Sequence, residues 1–272
     1  MALSGWRLPL LVTVLASVTV SGCASTGISS RARPSDLAPR YWPSAGRWRR
    51  AAVQALRHPA TWTPAAGAAV TGLVGDWDEK ISDWAVDNAP VFDTPEDARR
   101  KSDQLRDIAE YSIVVTALSV PRARVPWGSR LGRLLVQESA LYLTEKATSE
   151  LKEATDRERP DQSDRRSFPS GHASTASVGA TLASQNFDDM GLTRPARVFF
   201  KTAMVAVGAG TAWARVEGGR HFPSDVMAGA ALGSFIGRFI HGAFLERPRS
   251  RVSGFDLHLD RETAYVAVRL DF

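Results

Sequence analysis

The sequence predicts a mainly α-helical protein, a helical bundle with a short C-terminal β-hairpin. Three observations carry this. Between residues 51 and 245 apolar residues recur at helical spacing. The last three apolar runs of that region are rich in Gly and Ala, which lets helices approach closely. After residue 254 the pattern changes to a partial period-two alternation. The 272 residues are 44% hydrophobic and 23% charged, the balance of a globular chain, which excludes a disordered chain or a collagen-like repeat. One cysteine makes no intramolecular disulfide and no Cys/His cluster has zinc spacing, so no metal site is expected. A net charge of +5 suits nucleic acid, a membrane surface or an anionic substrate equally.

The N-terminal residues explain the cysteine. Residues 1–9 carry one cation, Arg7, and residues 10–20 are almost wholly apolar, about half the length that spans a bilayer. A basic start, a short apolar run and small residues describe a secretory signal. Val20-Ser21-Gly22-Cys23 resembles the lipobox of bacterial lipoproteins. That resemblance implies that residues 1–22 are removed as a signal peptide. It also implies that Cys23 is lipidated and attaches the chain to a membrane. Ala24, rather than Asp, after the cysteine implies the periplasmic face of the outer membrane. Residues 23–50 form an expected tether, with Arg31, Arg33, Arg40, Arg47, Arg49 and Arg50 against one acid, Asp36. Such a segment is either simply solvated or drawn to anionic head groups.

The expected helical domain covers residues 51–248. Residues 53–58 suit a short helix and residues 65–74 a small-residue apolar one. Residues 76–88 carry Trp77, Ile81, Trp84 and Ala85 at helical spacing. Thr94-Pro95-Glu96-Asp97 is a helix start with Thr as cap, Pro at the first position and acids in the first turn, and the helix runs to about residue 118. Residues 129–159 read as one long helix, with Leu131, Leu134, Leu135, Leu141, Tyr142 and Leu151 as core candidates. Residues 173–184, 196–212 and 226–244 are apolar helices. The last two carry Arg197, Lys201, Arg238 and His241, which are costly at mid-bilayer, so both are expected as central helices of a soluble bundle. His58 and His258 read as surface residues and His241 as a helix-packing one. Residues 249–272 form the expected hairpin extension.

Three segments carry chemistry. In the first, Lys152 and Arg159 are seven residues apart, two turns of a helix, and so share a face, with Pro160 ending the helix. With Glu150, Glu153, Asp156 and Glu158 nearby, this is either an exposed charged face or a site for a multiply charged anion. The second is Pro169-Ser170-Gly171-His172 at the start of an apolar helix. Free N–H groups there suit an anion, and a histidine at a helix N-terminus is opposed by the dipole unless an anion sits beside it. In the third, Arg215 precedes His221 and Asp225, which are four apart. A carboxylate there can accept from one ring nitrogen and leave the other as nucleophile or base, or the two can form a plain surface pair.

Taken in order, Lys-x6-Arg-Pro, Pro-Ser-Gly-His and Arg-x5-His-x3-Asp resemble the type 2 phosphatidic acid phosphatase and vanadium haloperoxidase superfamily, which includes bacterial acid phosphatases. Two departures stand out. Ala214 precedes Arg215 where the family usually has Ser, and only residues 161–168 separate the first two motifs. The resemblance implies that Lys152, Arg159, Ser170, Gly171 and Arg215 bind phosphate. It implies that His221 attacks phosphorus to form a phosphohistidine, that Asp225 orients His221, and that a protonated His172 donates to the leaving group without a metal or other cofactor. Opposite protonation states of the two histidines imply a bell-shaped pH profile on the acid side of neutrality. The implied substrates are phosphorylated lipids or small phosphomonoesters, with Arg165 and Arg166 beside the pocket, and nucleic acid is not needed as a partner. Two alternatives share the fold: a haloperoxidase binding vanadate on His221, and a non-catalytic envelope lipoprotein.

Overall fold

The computed structural model describes residues 42–121 and 125–246, together with the backbone of residues 251–259 and 264–271. The expected signal peptide, Cys23 and the tether up to residue 41 lie outside the described residues. Helix α1 (Ala45–Arg57) starts inside the stretch expected to be tether, because Ser44 accepts from the N–H of Arg47 and caps it. Arg47 is half-buried and paired rather than simply solvated. Its guanidinium donates to the carbonyls of Glu246 at 2.6 Å and Gly242 at 3.4 Å, across 195 or more residues. Helix α2 (Pro59–Leu73) is capped by His58, whose Nδ1 accepts from Ala60 N at 3.1 Å. Helix α3 (Trp77–Asn88) follows and ends at Ala89 in the left-handed region. Helix α4 (Pro95–Ser119) starts as its sequence signature expects, with the Thr94 hydroxyl accepting from Asp97 N at 3.1 Å.

Helix α5 (Arg130–Thr155) departs from its reading in two ways. It ends four residues before Arg159, where Asp156 takes a left-handed conformation and its N–H closes on the Lys152 carbonyl. Its buried stripe is Gly132, Arg133, Val136, Gln137, Ala140, Thr144 and Thr148, whereas Leu131 and Tyr142 are 69% and 54% exposed. The reason is a polar lock. Arg133 donates to Asn186 at 2.9 Å and Asp189 at 2.7 Å, and Gln137 and Thr116 complete the bonds of Asn186. These partners, invisible to hydrophobic periodicity, leave Leu131 and Tyr142 outside, while Leu141 packs against the core as expected.

Helices α6 (Gly171–Asp189), α7 (Arg194–Glu217) and α8 (Pro223–Phe244) complete the bundle. Helix α6 is central, flanked by α4, α5, α7 and α8, and α8 also packs on α1 and α2. The main core joins Ile113, Val136, Val178, Leu182, Ile236 and Ile240. A smaller one of Ala85, Ala173, Val216 and Val226 sits next to the motif residues. Gly229, Gly233 and Gly237 line α8 where it meets α6, and a Cβ at Gly233 would stand 2.1 Å from the Ser174 carbonyl oxygen. By length and composition α8 could cross a membrane, but half of its apolar window is buried in the bundle. Helix α7 is not central as expected. Val198, Phe199, Phe200 and Val205 are exposed, because α7 packs through one face on α4 and α6.

Beyond the bundle, Arg251–Leu259 (β1) pairs antiparallel with Ala264–Asp271 (β2), with Phe255 opposite Val268 and Leu257 opposite Val266.

Candidate active site

The motif residues come from five places. Lys152 is in the last turn of α5, and Arg159 is in the loop after it, not on the same helical face. Ser170, Gly171 and His172 open α6. Arg215 lies in the last turn of α7, and Asp225 in the first turn of α8 just after His221. Gly219, at φ +66°, turns the chain sharply between Arg215 and His221, and the backbone N–H groups of Arg220 and His221 both bond the Arg215 carbonyl.

His221 is 2% exposed. Its Nδ1 lies 2.7 Å from the carbonyl oxygen of Ser167. A carbonyl only accepts, so Nδ1 carries the hydrogen and Nε2 presents a lone pair. Nε2 accepts from Arg159 Nη1 at 3.1 Å. Burial, with Arg215 and Arg159 adding to it, pushes the ring down to about 3 despite Asp225. His221 is therefore a neutral imidazole. Asp225 Oδ2 stands 3.8 Å from Nδ1, behind the direct acceptor Ser167. The tautomer expected from Asp225 is thus held in the first place by a backbone carbonyl. The carboxylate is held in turn. Oδ2 accepts from Ser167 Oγ at 2.5 Å and Phe222 N at 2.9 Å, and Oδ1 accepts from Arg157 Nη1 at 2.8 Å. Burial opposes ionisation of Asp225, but His221, Arg157 and Ser167 outweigh it and keep its pKa below the ordinary carboxylate value.

The cations crowd one another. Burial and the neighbouring Arg159 push Lys152 down to about 8, and burial with Arg159 and Arg220 pushes Arg215 down to about 10. Lys152 Nζ donates to the Arg166 carbonyl, and its Cε passes 4.0 Å from where a Cβ at Gly171 would stand. Arg159 is fixed by Asp164 Oδ1 at 2.7 Å and the Arg220 carbonyl at 2.9 Å. Among the described residues two buried donors lack partners here, Ser170 Oγ and Arg215 Nε. Ser170 caps α6 with no bond from its hydroxyl, while its N–H holds the Asp225 carbonyl at 2.9 Å.

His172 sits on the wall of a cavity of about 330 Å³, with Lys152, Arg166, Gly171 and, from α4, Arg106 and Glu110. Its Nε2 is 2.6 Å from Asp103 Oδ1 and 3.1 Å from Arg106 Nη1. Burial and Arg215 push it down to about 4, with Asp103 pulling the other way. In the free site His172 is therefore neutral at neutral pH. Arg166 lines the cavity, whereas Arg165 turns to Asp156 at 2.9 Å. Sequence reasoning missed Asp103, Arg106, Ser167, Arg157 and Asp78. Arg157 lies two residues before Arg159 and Ser167 three before Ser170, so proximity to the motifs was their one available signal. The others reach the site only through tertiary packing.

Residues 135–249 match the PAP2 superfamily. The PAP2 match takes in every motif residue from Lys152 to Asp225 and omits Asp78, Asp103, Arg106 and the hairpin. A stretch of 79 residues, 29% of this chain, is 37% identical to the lipid A 1-phosphatase of Porphyromonas gingivalis, but spans only 16% of that relative. The fold is similar to that of a transmembrane PAP2 type phosphatidylglycerolphosphate phosphatase from Bacillus subtilis. The TM-score is 0.54 at 19% identity, over 70% of this chain and 94% of that one.

Proposed function

We propose that the protein is a metal-independent phosphatase that hydrolyses phosphate monoesters, chiefly lipid phosphates or pyrophosphates, through a phosphohistidine on His221. The observation that carries this is a neutral, buried His221 whose lone-pair nitrogen faces an arginine, Arg159, within a cluster of mutually depressing cations. A phosphate dianion satisfies that cluster. It takes the bonds of Lys152, Arg159 and Arg215 and gives Ser170 Oγ and Arg215 Nε the acceptors they lack. For attack to occur, Arg159 Nη1 leaves Nε2 for a phosphate oxygen. Nε2 then bonds phosphorus in line as the ester P–O bond breaks, and His172 gives its proton to the departing alkoxide. In the second step His172 takes a proton from water, which attacks phosphorus and breaks the P–N bond. The dianion offsets Arg215 and Arg106, and with Asp103 this raises His172 enough to hold its proton. Positive side chains stabilise the equatorial oxygens in both steps.

The named activities of the two relatives support a lipid phosphate as substrate. So do the exposed apolar residues Ile108, Tyr111 and Val115 on α4 and Val198, Phe199, Phe200 and Val205 on α7, which suit a membrane-associated enzyme. The Cys23 lipid anchor on the periplasmic face of the outer membrane belongs to the same reading. The test is release of phosphate by purified protein from an aryl phosphate in EDTA, with inhibition by vanadate. Comparing lipid with water-soluble phosphates then assigns the substrate class. A strict need for added divalent metal contradicts the mechanism. Vanadate-dependent bromide oxidation without phosphate release assigns the pocket to haloperoxidase chemistry instead.

A further inference from the structure

The N-terminus of α8 is held from outside the PAP2 match. Asp78 of α3 is 2% exposed, and its Oδ1 accepts from Ser224 N at 2.8 Å while its Oδ2 accepts from the Ser224 hydroxyl. Phe222, at the cap position, has no side-chain acceptor of its own, so Asp78 caps α8 from a separate helix. Arg157 then bridges the two acids. Nη2 donates to Asp78 Oδ2 at 2.8 Å, and Nη1 donates to Asp225 Oδ1 at 2.8 Å and Ser224 Oγ at 2.7 Å. Its guanidinium carbon lies 4.4 Å over the Phe222 ring, next to His221.

We propose that Arg157 and Asp78 are positioning residues that set the orientation of the nucleophile His221 through Asp225 and Ser167. The chain of contacts is continuous: Asp78 to Arg157, Arg157 to Asp225, Asp225 to the Ser167 hydroxyl, and the Ser167 carbonyl to His221 Nδ1. With Oδ1 taken by Arg157, the Asp225 carboxylate cannot rotate, and Oδ2 stays on Ser167 and Phe222 N. That fixes the carbonyl that selects the tautomer. Two carboxylates against one guanidinium also leave one net negative charge behind the ring, which favours the imidazolium-like state that forms with the P–N bond. The hydrogen bonds of Arg157 and Asp78 run to each other, Ser224 and Asp225, whereas Nε2 faces Arg159. The effect therefore falls on the chemical step, and the inference rests on the phosphatase reading for its kinetic part.

The test compares Arg157→Gln, Arg157→Lys and Asp78→Asn in the full chain, by kcat and KM with an aryl phosphate, thermal unfolding and ¹⁵N-histidine spectra of the rings. Arg157→Gln lowers kcat by about 10–100-fold with KM within about threefold. Arg157→Lys, which keeps the charge but not the fork, recovers part of that loss. Asp78→Asn lowers kcat by about 3–10-fold, its loss smaller because it acts through Arg157. The His221 ring signals move in Arg157→Gln while those of His172 stay. Unchanged kcat with only a lowered melting temperature, or a loss confined to KM, overturns the proposal. If Arg157→Gln does not fold, Arg157→Lys and Asp78→Asn decide by the same criteria. An inactive wild type refutes the phosphatase reading alone, and the histidine spectra then decide this inference by themselves.

Discussion

Gly229→Ala tests whether the contact between α6 and α8 sets the active-site geometry. A Cβ at Gly229 would lie 2.5 Å from the Ser170 carbonyl oxygen, 3.2 Å from Ser174 N and 3.3 Å from Ala173 Cβ. Reaching an ordinary 3.4 Å contact requires the start of α6 to withdraw by about 0.9 Å. All three neighbours belong to backbone or to a short side chain, so none yields by turning aside. Ser170 N also holds the Asp225 carbonyl at 2.9 Å, so the withdrawal either breaks this bond or drags Asp225 with it. Overpacking of this kind costs about 1–3 kcal/mol, against which alanine returns about 0.5–1 kcal/mol of helix propensity. With Ser170 as a proposed phosphate-binding group, a displacement near 1 Å is expected to lower turnover by about 100-fold. Gly208→Ala is the control, since its Cβ meets only Ala180 Cβ, at 3.9 Å. It should gain about 0.5–1 kcal/mol and keep full activity. Urea unfolding and kcat on both variants give the answer. A Gly229→Ala protein as stable and active as wild type refutes the close-contact argument.

The remaining predictions concern protons. In the proposed mechanism His172 carries the proton given to the leaving group, and its free-site pKa is about 4, so kcat/KM is expected to fall as pH rises through the acid range. Bound dianion raises that pKa, so the alkaline limb of kcat lies at higher pH than that of kcat/KM, which full pH–rate profiles will show. Asp103 is the group that raises His172, so Asp103→Asn moves both limbs to lower pH. His241 is buried on α8 with Nδ1 unpartnered, and burial, then Arg133 and Arg238, push it from 6.5 to about 3. The unfolded chain binds that proton first. Stability from a neutral His241 is therefore whole above 6.5 and is lost as pH falls towards 3. His241→Leu removes this loss and gains about 2 kcal/mol over wild type near pH ~5, with little gain at neutral pH, as denaturant titrations at the two pH values will show.

Much of the site was legible because its residue types and order are local facts. Ser170-Gly171-His172 at a helix start, Arg215 before a Gly-turn and Asp225 one helical turn after His221 fall where their spacing placed them. The Thr94-Pro95 start was legible for the same reason. Arg159 was misplaced, since Asp156 ends α5 early by a left-handed turn that Asp adopts more easily than most residues. The buried face of α5 was misread because Arg133 and Gln137 are buried by partners on α6 that no periodicity reveals. Asp78 reaches Arg157 and Ser224 across 79 and 146 residues, and Asp103 and Arg106 reach His172 across 69 and 66, so only the folded chain brings them in.

The central claim is that His221 becomes phosphorylated, and covalent trapping tests it most directly. Wild type quenched in alkali during turnover of a ³²P-labelled substrate in EDTA should carry an alkali-stable, acid-labile label on His221, absent from His221→Ala. Equal label on His221→Ala, or rapid turnover with no label under any quench, contradicts the account.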